Sequence, residues 1–313
     1  MTSLRTLLAA SLLATTAVAA HARIDREVEK SFTVTGAGTL KVSTQGGGIK
    51  VVTGSGTTVK ITAKQKIKAD TDAEADEVLK KLELTMEQAG NDIIVVSRYE
   101  RQPSGFRWGS WPPVNVDFVV SVPASYSAEL RTSGGGINVG DLEGTADVRT
   151  SGGGIVLGKM GGIVKAHTSG GSISLSECRA SVELNTSGGN ITVGRVGGEA
   201  DLETSGGSIK IDSVEHALNA HTSGGSIRAT ILGALKQDCT LSTSGGSVRV
   251  NVDKTAAFQL DASISGGSVD ADGLTLTLTS TSRRGSKLAG TVNGGGPLLK
   301  LRSSGGGIDI VAR

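Results

Sequence analysis

Five sets of side chains in this sequence have the chemistry for a site, and their spacing decides what that chemistry would be. His167 and His221 are candidate metal ligands or proton carriers, with Glu203 near them in the repeat frame set out below. The acids Asp147, Glu183, Asp201 and Glu203 are of the type that glycan hydrolysis uses in pairs. Lys210, Arg228 and Arg249 recur at near-constant spacing and would meet an anion. Tyr99, Phe106, Trp108 and Trp111 gather within Tyr99 to Pro113, a segment with four of the eight aromatics and three of the five prolines. Aromatic rings beside arginine suit stacking on sugars or a partner surface. Cys178 and Cys239 are the two thiols.

A repeat must position these groups. Thr-Ser-Gly-Gly begins at Thr132, Thr150, Thr168, Thr186, Thr204 and Thr222, eighteen residues apart, and again at Thr243 after twenty-one. Looser copies start at Ile264 and Ser303, and Thr44-Gln45-Gly46-Gly47-Gly48-Ile49 is an early divergent one. With Thr as position one, position six is Ile137, Ile155, Ile173, Ile191, Ile209, Ile227, Val248, Val269 and Ile308. Position eight is also apolar, and position seven between them is mostly polar. Position eleven forms a third apolar column of Leu142, Met160, Cys178, Val196, Val214 and Leu232. Positions fifteen and seventeen repeat the alternation, as in Val182/Leu184 and Ala200/Leu202.

Alternation of period two is a strand with one buried face. A fixed short period means one unit stacked on copies of itself. Eighteen residues are too few for a helical crossover. The expected fold is therefore all-β: a single-stranded β-solenoid, β-helix or β-roll-like, with about 18 residues per coil and coils about 4.8 Å apart. Glycine pairs at the turns allow positive φ and close backbone approach, which accounts for 46 glycines without disorder. The Thr and Ser columns read in two ways: a bonded turn backbone, or an exposed array of hydroxyls.

This frame sorts the candidate groups. His167 and His221 share position eighteen but lie three coils apart, too far to share a metal, and the adjacent pair in that ladder, Glu203 with His221, reads as a surface ion pair. No cofactor or metal is expected. The cysteines are also three coils apart, about 14 Å, beyond the roughly 7 Å of a disulfide. They read as small core residues. Calcium-binding β-rolls repeat every nine residues with a fixed aspartate, a pattern missing here. Lys210, Arg228 and Arg249 stack as successive position-seven residues. They form either a solvated face relieved by Asp212 and Asn251 at position nine, or a contact for an anionic polymer such as an acidic glycan or lipopolysaccharide.

The chain divides into three parts. Residues 1–22 read as a signal peptide, with Arg5, an apolar run from Leu7 to Ala19, and small-x-small cleavage sites ending at Ala19 or Ala22. The run is about thirteen residues, short of the roughly twenty that span a bilayer. Residues 23–131 are irregular N-terminal coils and a cap, with a helix over 72–82 and an aromatic loop over 99–113. Thr71 and Glu74 form a capping box, and Ala75, Val78, Leu79 and Leu82 form an apolar stripe. Residues 132–313 are regular repeats. The closing strand Ile308-Asp309-Ile310-Val311 leaves that end poorly capped, so an end-to-end contact between copies is expected there. Net charge is +2, from 32 basic and 30 acidic residues, without the basic run that nucleic acid needs.

An export signal followed by Thr-Ser-Gly-Gly-x-Ile-x-Val repeats resembles the bacterial putative-adhesin domains of unknown function over most of residues 30–313. The resemblance implies a β-solenoid, an envelope or surface location and an adhesive role, with no catalytic residues to carry over. The function expected is an exported, non-enzymatic adhesion or interaction module of the cell envelope. Its partner would be an envelope component, a glycan or another protein. The alternative is a polysaccharide-active β-helix enzyme, a lyase or hydrolase. Contact residues expected are Tyr99, Phe106, Trp108, Trp111, Lys210, Arg228 and Arg249.

Overall fold

The computed structural model describes residues 23–100, 113–282 and 285–313. Residues 1–22, expected to be a signal peptide, and Phe106, Trp108 and Trp111 of the expected aromatic loop lie outside the described residues. Each eighteen-residue unit makes one coil with two strands, one in each of two long sheets of thirteen and fourteen strands. In the coil that follows Thr168, Ile173–Cys178 joins the first sheet and Val182–Thr186 the second.

Like residues stack in register along both sheets. Ile155, Ile173, Ile191, Ile209, Ile227 and Val248 pair in succession, all parallel. Thr168, Thr186, Thr204, Thr222 and Thr243 do the same opposite them. The β-solenoid is thus the observed fold. Its core lies between the sheets, filled by the alternate Ile, Val, Leu and Ala of each strand.

The third apolar column departs from the sequence reading at one place. Leu142, Met160, Cys178, Val196 and Val214 are buried, but Leu232 is 53% exposed. Ile231 takes its rung by pairing with Val214 across a register shift. The Thr222 unit is three residues longer than the five before it, and its turn at Gly233 (φ 70°) carries Leu232 out into solvent.

The glycines work by close approach. None of those in the Thr-Ser-Gly-Gly sites from Thr132 to Thr243 has a left-handed backbone, which corrects the positive-φ expectation there. A Cβ on Gly171 would lie 2.1 Å from the carbonyl oxygen of Gly153 in the preceding coil. Only a residue without a side chain lets successive turns nest this tightly.

Both ends are built out of sequence order. The early coil, strands Thr39–Thr44 and Ile49–Gly54, is slotted between the coil of Asp92–Tyr99 and Val114–Pro123 and that of Ser127–Thr132 and Ile137–Val139. The chain must cross over it, and Tyr126 is fully buried at that crossing with its hydroxyl donating to the Asn91 carbonyl. At the other end the last coil does the same. Leu298–Ser303 lies between Cys239–Thr243 and Phe258–Ile264. Ile308–Ala312 lies between Val248–Val252 and Val269–Asp272. The expectation that Ile308–Val311 forms an uncapped end is therefore corrected, because both edges of that strand are already hydrogen-bonded. The sheets end instead at Val269–Asp272 and at the hairpin strand Leu276–Thr281.

The N-terminal end carries a charged edge. Arg23–Thr33 pairs antiparallel with Thr58–Lys68, with ion pairs such as Lys60 to Glu29 at 2.9 Å. The helix spans Asp72–Leu79, shorter than 72–82 because Leu82 opens the strand Leu82–Ala89. Thr71 caps it by accepting from the Glu74 N–H, while Glu74 reaches back to the Asp70 N–H. Of its apolar stripe, Ala75 is buried and Val78 and Leu79 are partly so.

Candidate functional site

Every Thr of the repeat points inward, which decides between the two readings of the hydroxyl column. Thr168 Oγ1 donates to Gly153 O at 2.8 Å and accepts from the Gly171 N–H at 3.3 Å. The same pair of bonds recurs at Thr132, Thr150, Thr186, Thr204, Thr222 and Thr243. These hydroxyls are consumed by the turns. What the molecule offers to a partner is the outward residues between the buried ones.

On the first sheet, Lys210, Arg228 and Arg249 are direct register partners on Ile209–Val214, Ile227–Ile231 and Val248–Val252. The neighbours of each along its strand are buried, so the three side chains project from one face about 4.8 Å apart. Lys210 Nζ contacts Asp212 Oδ1 at 2.9 Å. Arg249 gives both Nη2 (2.7 Å) and Nε (3.2 Å) to Asp309 Oδ2. Arg228, between them, makes no ion pair among the described residues. A groove of about 350 Å³ runs along the three, with Ser208, Ser226 and Ser247 beside them. Asn251 does not relieve Arg249 as expected. It is buried and its Nδ2 donates to Thr230 Oγ1. The slotted last coil supplies the relief instead, through Asp309. Position seven of the Ser303 frame already signalled an acid, but its neighbour is set by the crossing.

The second sheet's outward face carries the remaining groups. Glu203 and His221 are register partners, yet no ion pair joins them. His221 Nδ1 instead lies 2.8 Å from Ser242 Oγ on the next strand. Glu183 and Asp201 are also neighbours. Partial burial first, then Glu183 and Glu203, push the Asp201 carboxyl above its ordinary value. Lys165 holds Glu183 at 3.1 Å. Nearer the N-terminal end, Arg131 and Arg149 are register partners that share Asp147. Both arginines stand in the same position-eighteen column as His167 and His221, so the repeat count alone marks them.

Tyr99 is 6% exposed, with its ring in the core. Burial pushes its phenol up, and its N–H donates to Gln45 Oε1. It stands apart from the Lys210 ladder on the other sheet. The thiols are separated as well, Cys178 in the first sheet and Cys239 in the second, and burial raises both. Among the described residues no three His, Cys, Asp or Glu side chains are grouped to hold a metal. No described helix is long and apolar enough to cross a membrane.

The family model described as Toastrack DUF4097 matches residues 39–310. Three solved structures align over most of the chain at low identity. A putative cell adhesion protein from Clostridium sporogenes has 10% identity and a TM-score of 0.23, with 93% of this chain and 100% of that one covered. Putative adhesins from Bacteroides fragilis and Parabacteroides distasonis have 9% and 11% identity and TM-scores of 0.37 and 0.38. For both, 91% of this chain and 97% of the other are covered. No curated protein matches the sequence.

Proposed function

We propose that this chain, which belongs to the Toastrack DUF4097 family, is an exported, non-enzymatic β-solenoid that acts as an adhesion or interaction module of the bacterial cell envelope. Its ligand is an anionic polymer lying along the Lys210, Arg228 and Arg249 ladder. The observation that carries this reading is Arg228. Like charges on paired residues of adjacent strands repel, yet three cations are stacked here and the middle one has no acid beside it. A polyanion running along the solenoid axis would relieve that repulsion. The two-sheet frame fixes the backbone of the three groups, so only their side chains are ordered on binding.

The export part rests on the composition of residues 1–22, and cell fractionation tests it: a cytoplasmic pool of full-length chain would overturn it. The ligand part is tested by titrating the purified protein with an acidic polysaccharide. Binding at low salt that fades as salt rises, and that Arg228→Gln weakens several-fold, supports it. No binding at low salt ends it. The lyase or hydrolase reading would draw on Glu183 and Asp201. Release of reducing ends from a polysaccharide panel is the result that would favour it.

A further inference from the structure

We propose that the corner of the second sheet around Arg131 and Arg149 is a phosphomonoester-binding site, shaped for a phosphate carried on a sugar. It lies on the opposite sheet from the Lys210 ladder and does not depend on it.

A groove of about 590 Å³ crosses the outward ends of Thr39–Thr44, Ser127–Thr132, Ala146–Arg149 and Val164–Thr168, beside Asp92–Tyr99. Arg131 and Arg149 face it from adjacent rungs. One carboxylate serves both: Asp147 is 3.1 Å from Arg149 Nε and 3.6 Å from Arg131 Nη2. The longer of these is beyond hydrogen-bond range. Arg98, on Asp92–Tyr99, is two strands away from Arg131 across Thr39–Thr44 and is the register partner of Glu83, whereas His167 occupies the rung directly after Arg149. None of the groove's lining residues is Asp or Glu. In the adjacent outward column stand Glu129, Asp147 and Lys165, the last already paired with Glu183.

This donor set selects the ligand. Each guanidinium has five N–H donors in a planar fork, so two neighbouring forks sharing one carboxylate keep most of their donors free. A carboxylate ligand brings two oxygens and one charge, enough for one fork. A phosphomonoester brings three terminal oxygens and close to two charges, and so fits a pair of arginines about 4.8 Å apart. The exposed hydroxyls of Ser43, Ser133 and Ser151 line the same groove and can bond to sugar hydroxyls.

Isothermal titration at low ionic strength with a hexose 6-phosphate, inorganic phosphate and the free hexose tests the site. The sugar phosphate should bind, and the double variant Arg131→Gln/Arg149→Gln should weaken it at least tenfold, with Arg228→Gln unchanged. Stronger binding of the sugar phosphate than of inorganic phosphate would uphold the site, whereas inorganic phosphate binding equally well would overturn its shaping for a sugar. No binding, undiminished binding by the double variant, or preference for the free hexose would overturn it. If the double variant melts lower than the parent, Arg131→Lys, which keeps the charge but loses the fork, supplies the readout: at least threefold weakening is expected, and unchanged affinity overturns the proposal.

Discussion

Asp309 Oδ2 lies 2.7 Å from Arg249 Nη2, although sixty residues of chain separate them. The contact exists because the last coil enters the stack between Val248–Val252 and Val269–Asp272. It closes the cationic ladder on one side and leaves Arg228 as its open centre.

Removing that acid should therefore open the ladder further. Asp309→Asn is expected to raise affinity for an acidic polysaccharide several-fold, measured by titration at low salt. The pair is partly exposed, so stability should fall by only about 1 kcal/mol or less. A loss of affinity would show that Asp309 positions Arg249 for the ligand instead of competing with it.

Thr168 is completely buried and bonded on both sides. Thr168→Val keeps the shape and deletes the hydroxyl, stranding a carbonyl and an N–H. Urea unfolding should show a loss of about 1–3 kcal/mol. Thr168→Ser, which keeps the hydroxyl, should lose clearly less. Equal losses would mean that the methyl packing, not the bonds, holds the turn.

The two glycines of one turn should respond differently. At Gly171 an added Cβ meets backbone at 2.1 Å, whereas at Gly170 the nearest atom is 3.4 Å away. Gly171→Ala should cost about 2–3 kcal/mol or more through overpacking, and Gly170→Ala under about 1 kcal/mol. Thermal melts of the two variants side by side decide it.

Asp201 gives the fold a pH dependence of known sign. Its carboxyl is raised in the folded state by partial burial, then by Glu183 and Glu203. The folded chain thus holds this proton more tightly than the unfolded chain does. This group's contribution is most favourable below the ordinary carboxylate range and is lost as pH climbs from there through the raised value. Asp201→Asn should raise the melting temperature at pH 7 and leave it nearly unchanged at pH 3. A gain that is the same at both values would count against the assignment.

Much of the molecule was legible because the repeat carries its own register. Positions six, eight, fifteen and seventeen announced two strands per coil, and Ile155, Ile173 and Ile191 do lie on successive rungs. Leu232 misled because Ile227–Ile231 is one residue shorter than its partner between the rungs of Ile211 and Val214, so Ile231 arrives at the third column one position early. Within the site, Lys210, Arg228 and Arg249 could be stacked by counting. Arg131 and Arg149 could have been found by the same count applied to a different residue type. Tyr99 could not be placed, since an aromatic beside a loop reads the same whether it faces core or solvent.

Local alternation and a constant period were sufficient to determine the solenoid, because each coil repeats the same short-range steric problem of nesting a turn against its neighbour. The order of the coils at the two ends was decided only in three dimensions. Thr39–Gly54 and Leu298–Ala312 have the same pattern as any other coil, so nothing local distinguishes a terminal rung from one inserted between two others. That choice depends on satisfying strand edges far apart in the chain, and it places Asp309 beside Arg249.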